Sequence, residues 1–183
     1  MLLIKNILTE VVDANLLEQQ KQYTFFVDLD GVLVNFDQGF KDITNMSKET
    51  YVHMYGKKEL WATINAKGPS WWENLQWMPD GKQLWDVVKN FDVKILSSSI
   101  TKNTGDLAKV GKLRWIKNNL GDVESIIVDA SHLKQNYADG KETNVLIDDL
   151  PSNIVQWNAQ GGTGILHKST QSTLSKLKQL QII

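Results

Sequence analysis

The sequence predicts an α/β protein, a parallel sheet with helices on both faces and a small helical cap inserted after the first strand. Three observations carry this reading. Short apolar runs with strand character alternate with longer segments of helical spacing, the pattern of successive β-α units. Polar and acidic residues collect just past the ends of those runs, where open parallel sheets hold their ligands. The interval between the first two runs, residues 36–79, has no clear strand and is too long for a simple crossover.

Residues 1–22 open the chain with Leu3, Ile4, Ile7, Leu8, Val11, Val12 and Leu16 at roughly helical spacing. They predict an amphipathic helix that packs on the core or serves a partner, a second copy of the chain in a homodimer included. The core takes residues 23–35 and 80–183. Its strands are predicted at Thr24–Leu29, Val93–Ser97, Ser125–Asp129, Asn144–Asp148 and Gly164–His167. Its helices are predicted at Asp80–Asn90, Lys102–Asn119, Pro151–Gln160 and Gln171–Leu180. Residues 36–79 are read as the cap; Phe36, Phe40, Tyr51, Tyr55, Trp61, Trp71, Trp72 and Trp77 give it apolar area out of proportion to its size. A cap over the strand ends would exclude water and touch the substrate.

At 183 residues, 42% hydrophobic and 22% charged, the chain fits one soluble domain with a modest insertion. Its net charge of −1 supplies no general attraction to nucleic acid or anionic membrane. The absence of cysteine excludes disulfides, zinc–thiolate sites and thiol nucleophiles. No apolar run reaches membrane-spanning length, and a cytoplasmic location is the expectation.

The chemistry-bearing residues follow the strands. Asp28-Leu29-Asp30-Gly31 ends the first, Ser97-Ser98-Ser99 the second and Asp148-Asp149 the fourth, while Lys112 lies on the helix between the second and third. Each alone has an ordinary explanation: a turn, a helix cap, a solvated lysine, a helix opening with Pro151 in its first turn. A calcium loop from Asp28 would need an acid at its twelfth position, which is Gly39. Their coincidence is what matters, because a parallel sheet brings these ends together. Converging carboxylates repel unless a cation or a shared proton relieves them, so Asp28 and Asp30 mark a candidate metal and phosphoryl-chemistry site.

This ordered set resembles the haloacid dehalogenase-like (HAD) superfamily of phosphohydrolases, with a Rossmann-like core. Asp28-Leu29-Asp30-Gly31-Val32-Leu33 matches its first motif, Ser97 its second, Lys112 its third and Asp148-Asp149 its fourth. Within the superfamily the chain most resembles the 5′(3′)-deoxyribonucleotidases, through Asp28 to Phe36, Lys112-Leu113-Arg114-Trp115 and Leu146-Ile147-Asp148-Asp149. Three departures touch the substrate side. Leu60-Trp61 stands where that family has Phe-Trp, Ser97-Ser98-Ser99 where Thr-Ser-Pro is usual, and the loop Asp129–Lys134 lacks the family's arginine while Lys134 falls near its lysine.

The resemblance implies Asp28 as nucleophile and Asp30 as acid/base. It implies Mg²⁺ held by Asp28, Asp148, Asp149 and the Asp30 carbonyl, and phosphate bound by Ser97, Ser98, Lys112 and Lys134. It implies a pocket lined by Phe36, Trp61 and Trp72, and a small phosphorylated substrate, a nucleoside monophosphate. The alternatives are a phosphatase of nucleic-acid ends or of another small phosphometabolite, and a binding protein without turnover. Near-neutral charge disfavours a polynucleotide, and the intact set of acids disfavours loss of turnover.

Overall fold

Phe25, Val27 and Leu29 have no solvent-exposed surface and Phe26 almost none, which is why the first run shows no polar alternation: a parallel strand is covered on both faces. The computed structural model describes residues 23–99 and 106–183. Strand β1 (Thr24–Val27) is central in a five-stranded sheet of order β3-β2-β1-β4-β5. Its companions are β2 (Asp92–Ser98), β3 (Glu124–Val128), β4 (Asn144–Asp148) and β5 (Thr163–Leu166). Every pairing is parallel, so the Rossmann-like sheet expected from the alternation is the one that forms.

Register brings the acids together. Val27 pairs with Ile95 on one side and Ile147 on the other, and the Asp28 N–H donates to the Ile147 carbonyl at 3.0 Å. Asp28 and Asp148 therefore leave adjacent strands at the same edge.

The helices, in chain order, are α1 (Phe36–Thr44), α2 (Lys48–Asn65), α3 (Pro69–Glu73), α4 (Gly81–Val88), α5 (Leu107–Leu120), α6 (Pro151–Ala159) and α7 (Thr170–Gln179), with a 3-10 helix at Ser131–Tyr137. Alternate β1 side chains enter two cores. Phe25 and Val27 pack with Leu84, Val88, Trp115 and Leu177 from α4, α5 and α7. Phe26 packs on the opposite face with Leu96, Leu146 and Trp157, the last from α6.

The predicted helix from Asp80 begins one residue later. Asp80 instead turns its carboxylate to α7, accepting the Thr170 N–H at 2.6 Å, where an acid complements the helix dipole. The 3-10 helix occupies a segment that the sequence leaves as loop. The expected N-terminal helix, within residues 1–22, and positions 102–105 of the helix predicted at Lys102–Asn119 lie outside the described residues.

Residues 36–79 hold three helices, α1 to α3. Asn35 caps α1 through its side chain, accepting from the Gln38 N–H at 3.1 Å, and Ser47 caps α2 by accepting from Thr50. Helix α2 is broken at Gly56, whose φ of 84° and ψ of 161° are not helical. Among the described residues no helix is long and apolar enough to cross a membrane.

Candidate active site

The turn after β1 explains how two acids one residue apart part company. Val32, Leu33 and Val34 donate their N–H groups back to the Leu29 carbonyl, and the Gly31 N–H reaches the Val34 carbonyl at 2.9 Å. Gly31 takes a φ of 78°, and a Cβ there would lie 2.3 Å from Asp149 Oδ2. A side chain at 31 would thus be strained and would displace Asp149. The turn sends the Asp28 and Asp30 side chains to different partners.

Asp28 joins the acids from β4. Asp28, Asp148 and Asp149 can each offer an oxygen such that all three lie within 4.8 Å of one another. Lys134, from the 3-10 helix, stands among them with its Nζ 2.9 Å from Asp28 Oδ2 and 2.6 Å from Asp148 Oδ2. The Leu29 N–H donates to Asp28 Oδ1 at 2.8 Å. The Leu150 N–H donates to Asp148 Oδ1, and Asn153 Nδ2 to both Asp148 oxygens at 3.0 and 2.9 Å. Asp148 and Lys134 are 0% and 2% exposed, so water does little to screen these charges.

Asp30 faces the other lysine. Lys112 on α5 donates to Asp30 Oδ2 at 2.6 Å, to Ser97 Oγ at 3.1 Å and to the Ser98 carbonyl at 2.8 Å. The Lys112 ammonium also lies 5.1 Å from the centre of the Trp72 ring. Asp30 Oδ1 is buried without a hydrogen-bond partner.

The electrostatics follow from burial. Burial pushes the Asp30 carboxyl above its ordinary range, against the pull of Lys112. Asp148 is raised by burial and by Asp28, and Asp149 by burial, Asp28 and Asp148, up to about 7. Burial works to lower Lys134, but the attraction of Asp28 and Asp148 outweighs it and the ammonium stands above its ordinary value. With all three acids ionised the group would exceed Lys134 by two charges. Its donors are all oxygens, the set that suits a hard divalent cation such as Mg²⁺.

A cavity of about 690 Å³ opens over this edge, lined by Asp28, Asp30, Ser98, Lys134 and Asp149 below and by residues of the inserted helices, Phe36 and Trp61 among them, above. The Phe36 and Trp61 rings stand 6.4 Å apart at 54°. Trp72, expected in the pocket, is not among the lining residues. It is 3% exposed and lies behind Phe36, with ring centres 5.6 Å apart. The reason is packing: α3 presses onto α5 so closely that a Cβ at Gly111 would come within 2.4 Å of both Trp72 and the Pro69 carbonyl. Ser97 lies beneath the cavity floor on Lys112, while Ser98 reaches it.

Sequence reasoning passed over Asn153, which holds Asp148, and over Lys48 and Lys57, which line the cavity. Asn153 had a usable signal, since Pro151 starts a helix and the third residue of its first turn faces back towards Asp148. Lys48 and Lys57 had none, because nothing local tells which side of a cap helix faces the strand ends.

No protein-family model matches the chain, and no curated protein matches it. Solved structures do. A hydrolase from Streptococcus pneumoniae TIGR4 is 13% identical, with a TM-score of 0.50 over 88% of this chain and 98% of that one. An HAD family enzyme from Bacteroides thetaiotaomicron, solved as a magnesium complex, is 17% identical, with a TM-score of 0.47 over 80% and 93%. An HAD hydrolase of family IA, variant 3, from Entamoeba histolytica HM-1:IMSS is 17% identical, with a TM-score of 0.44 over 86% and 88%. At such identities the likeness is one of fold alone, and the fold is a parallel sheet flanked by helices.

Proposed function

We propose that the protein is a Mg²⁺-dependent phosphatase that hydrolyses small phosphate monoesters, nucleoside monophosphates in particular, through a phosphorylated Asp28. The observation that carries this reading is the division of the two acids. Asp28 is oriented by a lysine and a backbone N–H within an acidic group, whereas Asp30 has one oxygen on Lys112 and the other buried and unpartnered.

A phosphate dianion approaching Asp28 meets like charge, roughly 4 kcal/mol for each unit pair at about 4 Å and an effective dielectric of about 20. Mg²⁺ held by Asp28, Asp148 and Asp149 would offset that repulsion and polarise the phosphoryl group. An Asp28 oxygen attacks phosphorus, the new O–P bond forms and the bond to the leaving oxygen breaks. Asp30, raised by burial, gives its proton to the leaving alkoxide from Oδ1. A water then attacks phosphorus, Asp30 takes its proton, and inorganic phosphate leaves with Asp28 restored. Lys112 holds Asp30 in place throughout, and Ser98 lies at the cavity floor for the phosphoryl oxygens.

The substrate class rests on the cap. Phe36 and Trp61 offer two tilted aromatic faces over the strand ends, a surface for a nucleobase. The near-neutral net charge of −1 favours a free small molecule over a polynucleotide. The test is phosphate release from nucleoside 5′- and 3′-monophosphates, ribo and deoxy, with Mg²⁺ and with EDTA. Release is expected only with Mg²⁺, and Asp28→Asn should abolish it while the protein stays folded. Wild-type turnover by Asp28→Asn would reject the nucleophile, and no release from any monophosphate would reject the substrate class.

A further inference from the structure

The cap's share of the cavity wall comes from Phe36 and Asp37 and from both halves of α2, and a regular helix would spread the α2 residues over more than half a turn. Lys48, Glu49 and Val52 line the cavity from the first half; Lys57, Leu60 and Trp61 line it from the second. At about 100° per residue the two trios would point about 130° apart on an unbroken helix, more than a third of a turn. Glu49 and Leu60 would still share a face, but Lys48 and Trp61 would diverge by about 140°.

Gly56 lies between them and removes the conflict. Its φ of 84° and ψ of 161° fall in a backbone region that is essentially reserved for glycine. Nothing lies within 4 Å of where its Cβ would be, so the glycine is not there to make room for a neighbour. Its backbone conformation is what the position needs. The break re-phases the helix, so that Leu60 is buried and Trp61 stands near Phe36. Lys57 enters the wall with no ion-pair or hydrogen-bond partner among the described residues.

We propose that Gly56 is a specificity-determining position: the break it makes in α2 turns two helix faces onto one cavity and so selects leaving groups with a flat ring system that carries acceptors for Lys57. The proposal rests on the phosphatase reading and deepens it. The strand-end carboxylates and Lys112 and Lys134 belong to other elements, so a change at 56 leaves the phosphoryl centre intact.

The experiment compares Gly56→Ala with wild type on p-nitrophenyl phosphate and on nucleoside monophosphates. For the small ester, kcat/KM should stay within about twofold; for the nucleotides, KM should rise about tenfold with little change in kcat, the signature of lost binding away from the reacting atoms. Trp61→Ala should raise the nucleotide KM as well, and the double variant should add nothing further, because Gly56 acts through the limb that carries Trp61. Lys57→Ala, an exposed change that leaves folding alone, should raise the nucleotide KM and spare the small ester. Equal losses on both substrates, additive losses in the double variant, or no effect of Lys57→Ala would each overturn the proposal. So would a wild-type protein that cleaves the small ester but no nucleotide. A wild-type protein that cleaves neither would reject the phosphatase reading on its own. Gly56 is then judged by near-ultraviolet circular dichroism: Gly56→Ala should lose the component that Trp61→Ala removes, and an unchanged spectrum overturns the proposal.

Discussion

Removing the Asp149 carboxylate should make the metal-free protein more stable, not less. Asp149 sits against Asp28 and Asp148, and burial together with those two acids carries it from 3.8 to about 7. In the unfolded chain it ionises near its ordinary value. Between about pH 4 and pH 7 the folded state therefore holds more protons at this position than the unfolded state, and stability falls as pH rises. The fall is complete just above pH 7. At 1.36 kcal/mol per pH unit the full difference is about 4 kcal/mol. Asp149 is partly exposed, and solvent screening reduces this to about 1–2 kcal/mol. In EDTA at pH 8, Asp149→Asn should thus unfold at higher urea than wild type, with a Tm up by about 4 °C for a chain of this length. At pH 5 the gain should shrink to less than half. Mg²⁺ should reverse the order, because wild type gains stability by mass action and the variant has lost a ligand. If Asp149→Asn in EDTA at pH 8 were no more stable than wild type, the three acids would not be repelling one another and the case for a cation among them would fail.

Two other substitutions probe buried charge. Lys134→Met leaves Asp28 and Asp148 facing each other without their shared ammonium. It should destabilise the metal-free protein by about 3–5 kcal/mol, the usual cost of breaking a buried pair from one side, with part of the loss recovered in Mg²⁺; urea unfolding with and without the ion measures both. His167 is buried with its Nε2 unpartnered and its Nδ1 2.9 Å from Thr173 Oγ1. Burial holds its pKa below the ordinary value, against the pull of Asp80. The unfolded state therefore takes up the proton first, and the histidine's contribution is intact above about pH 6.5 and lost as pH falls below it. His167→Gln should flatten the stability profile between pH 7 and pH 5, and an unchanged slope would place the acid sensitivity elsewhere.

The difference between what was legible in the chain and what was not has a physical cause. Strands of a parallel sheet announce themselves as continuous apolar runs, and their carboxyl ends follow directly. Asp28, Ser97 and Asp148 thus fall at one edge on the sequence pattern alone, and the register of Val27 with Ile147 puts two of them side by side. What could not be read was pairing across the site. The two lysines share the acids out, Lys112 to Asp30 and Lys134 to Asp28 and Asp148, and that division depends on where α5 and the 3-10 helix dock, which no local pattern encodes. The cap was harder still. Trp72 and Trp61 look equivalent as aromatic residues of a helical insertion, yet one is sealed behind Phe36 by the close approach of α3 to α5, and the other reaches the cavity. Residues 48–65 carry no single helical face because two faces are used, one on each side of Gly56. A periodicity search assumes constant phase along the helix, and a glycine break changes the phase. The acidic edge is therefore readable from strand ends, whereas the aromatic wall of the cavity becomes readable only once a glycine with an empty Cβ position is recognised as the point where the helix changes face.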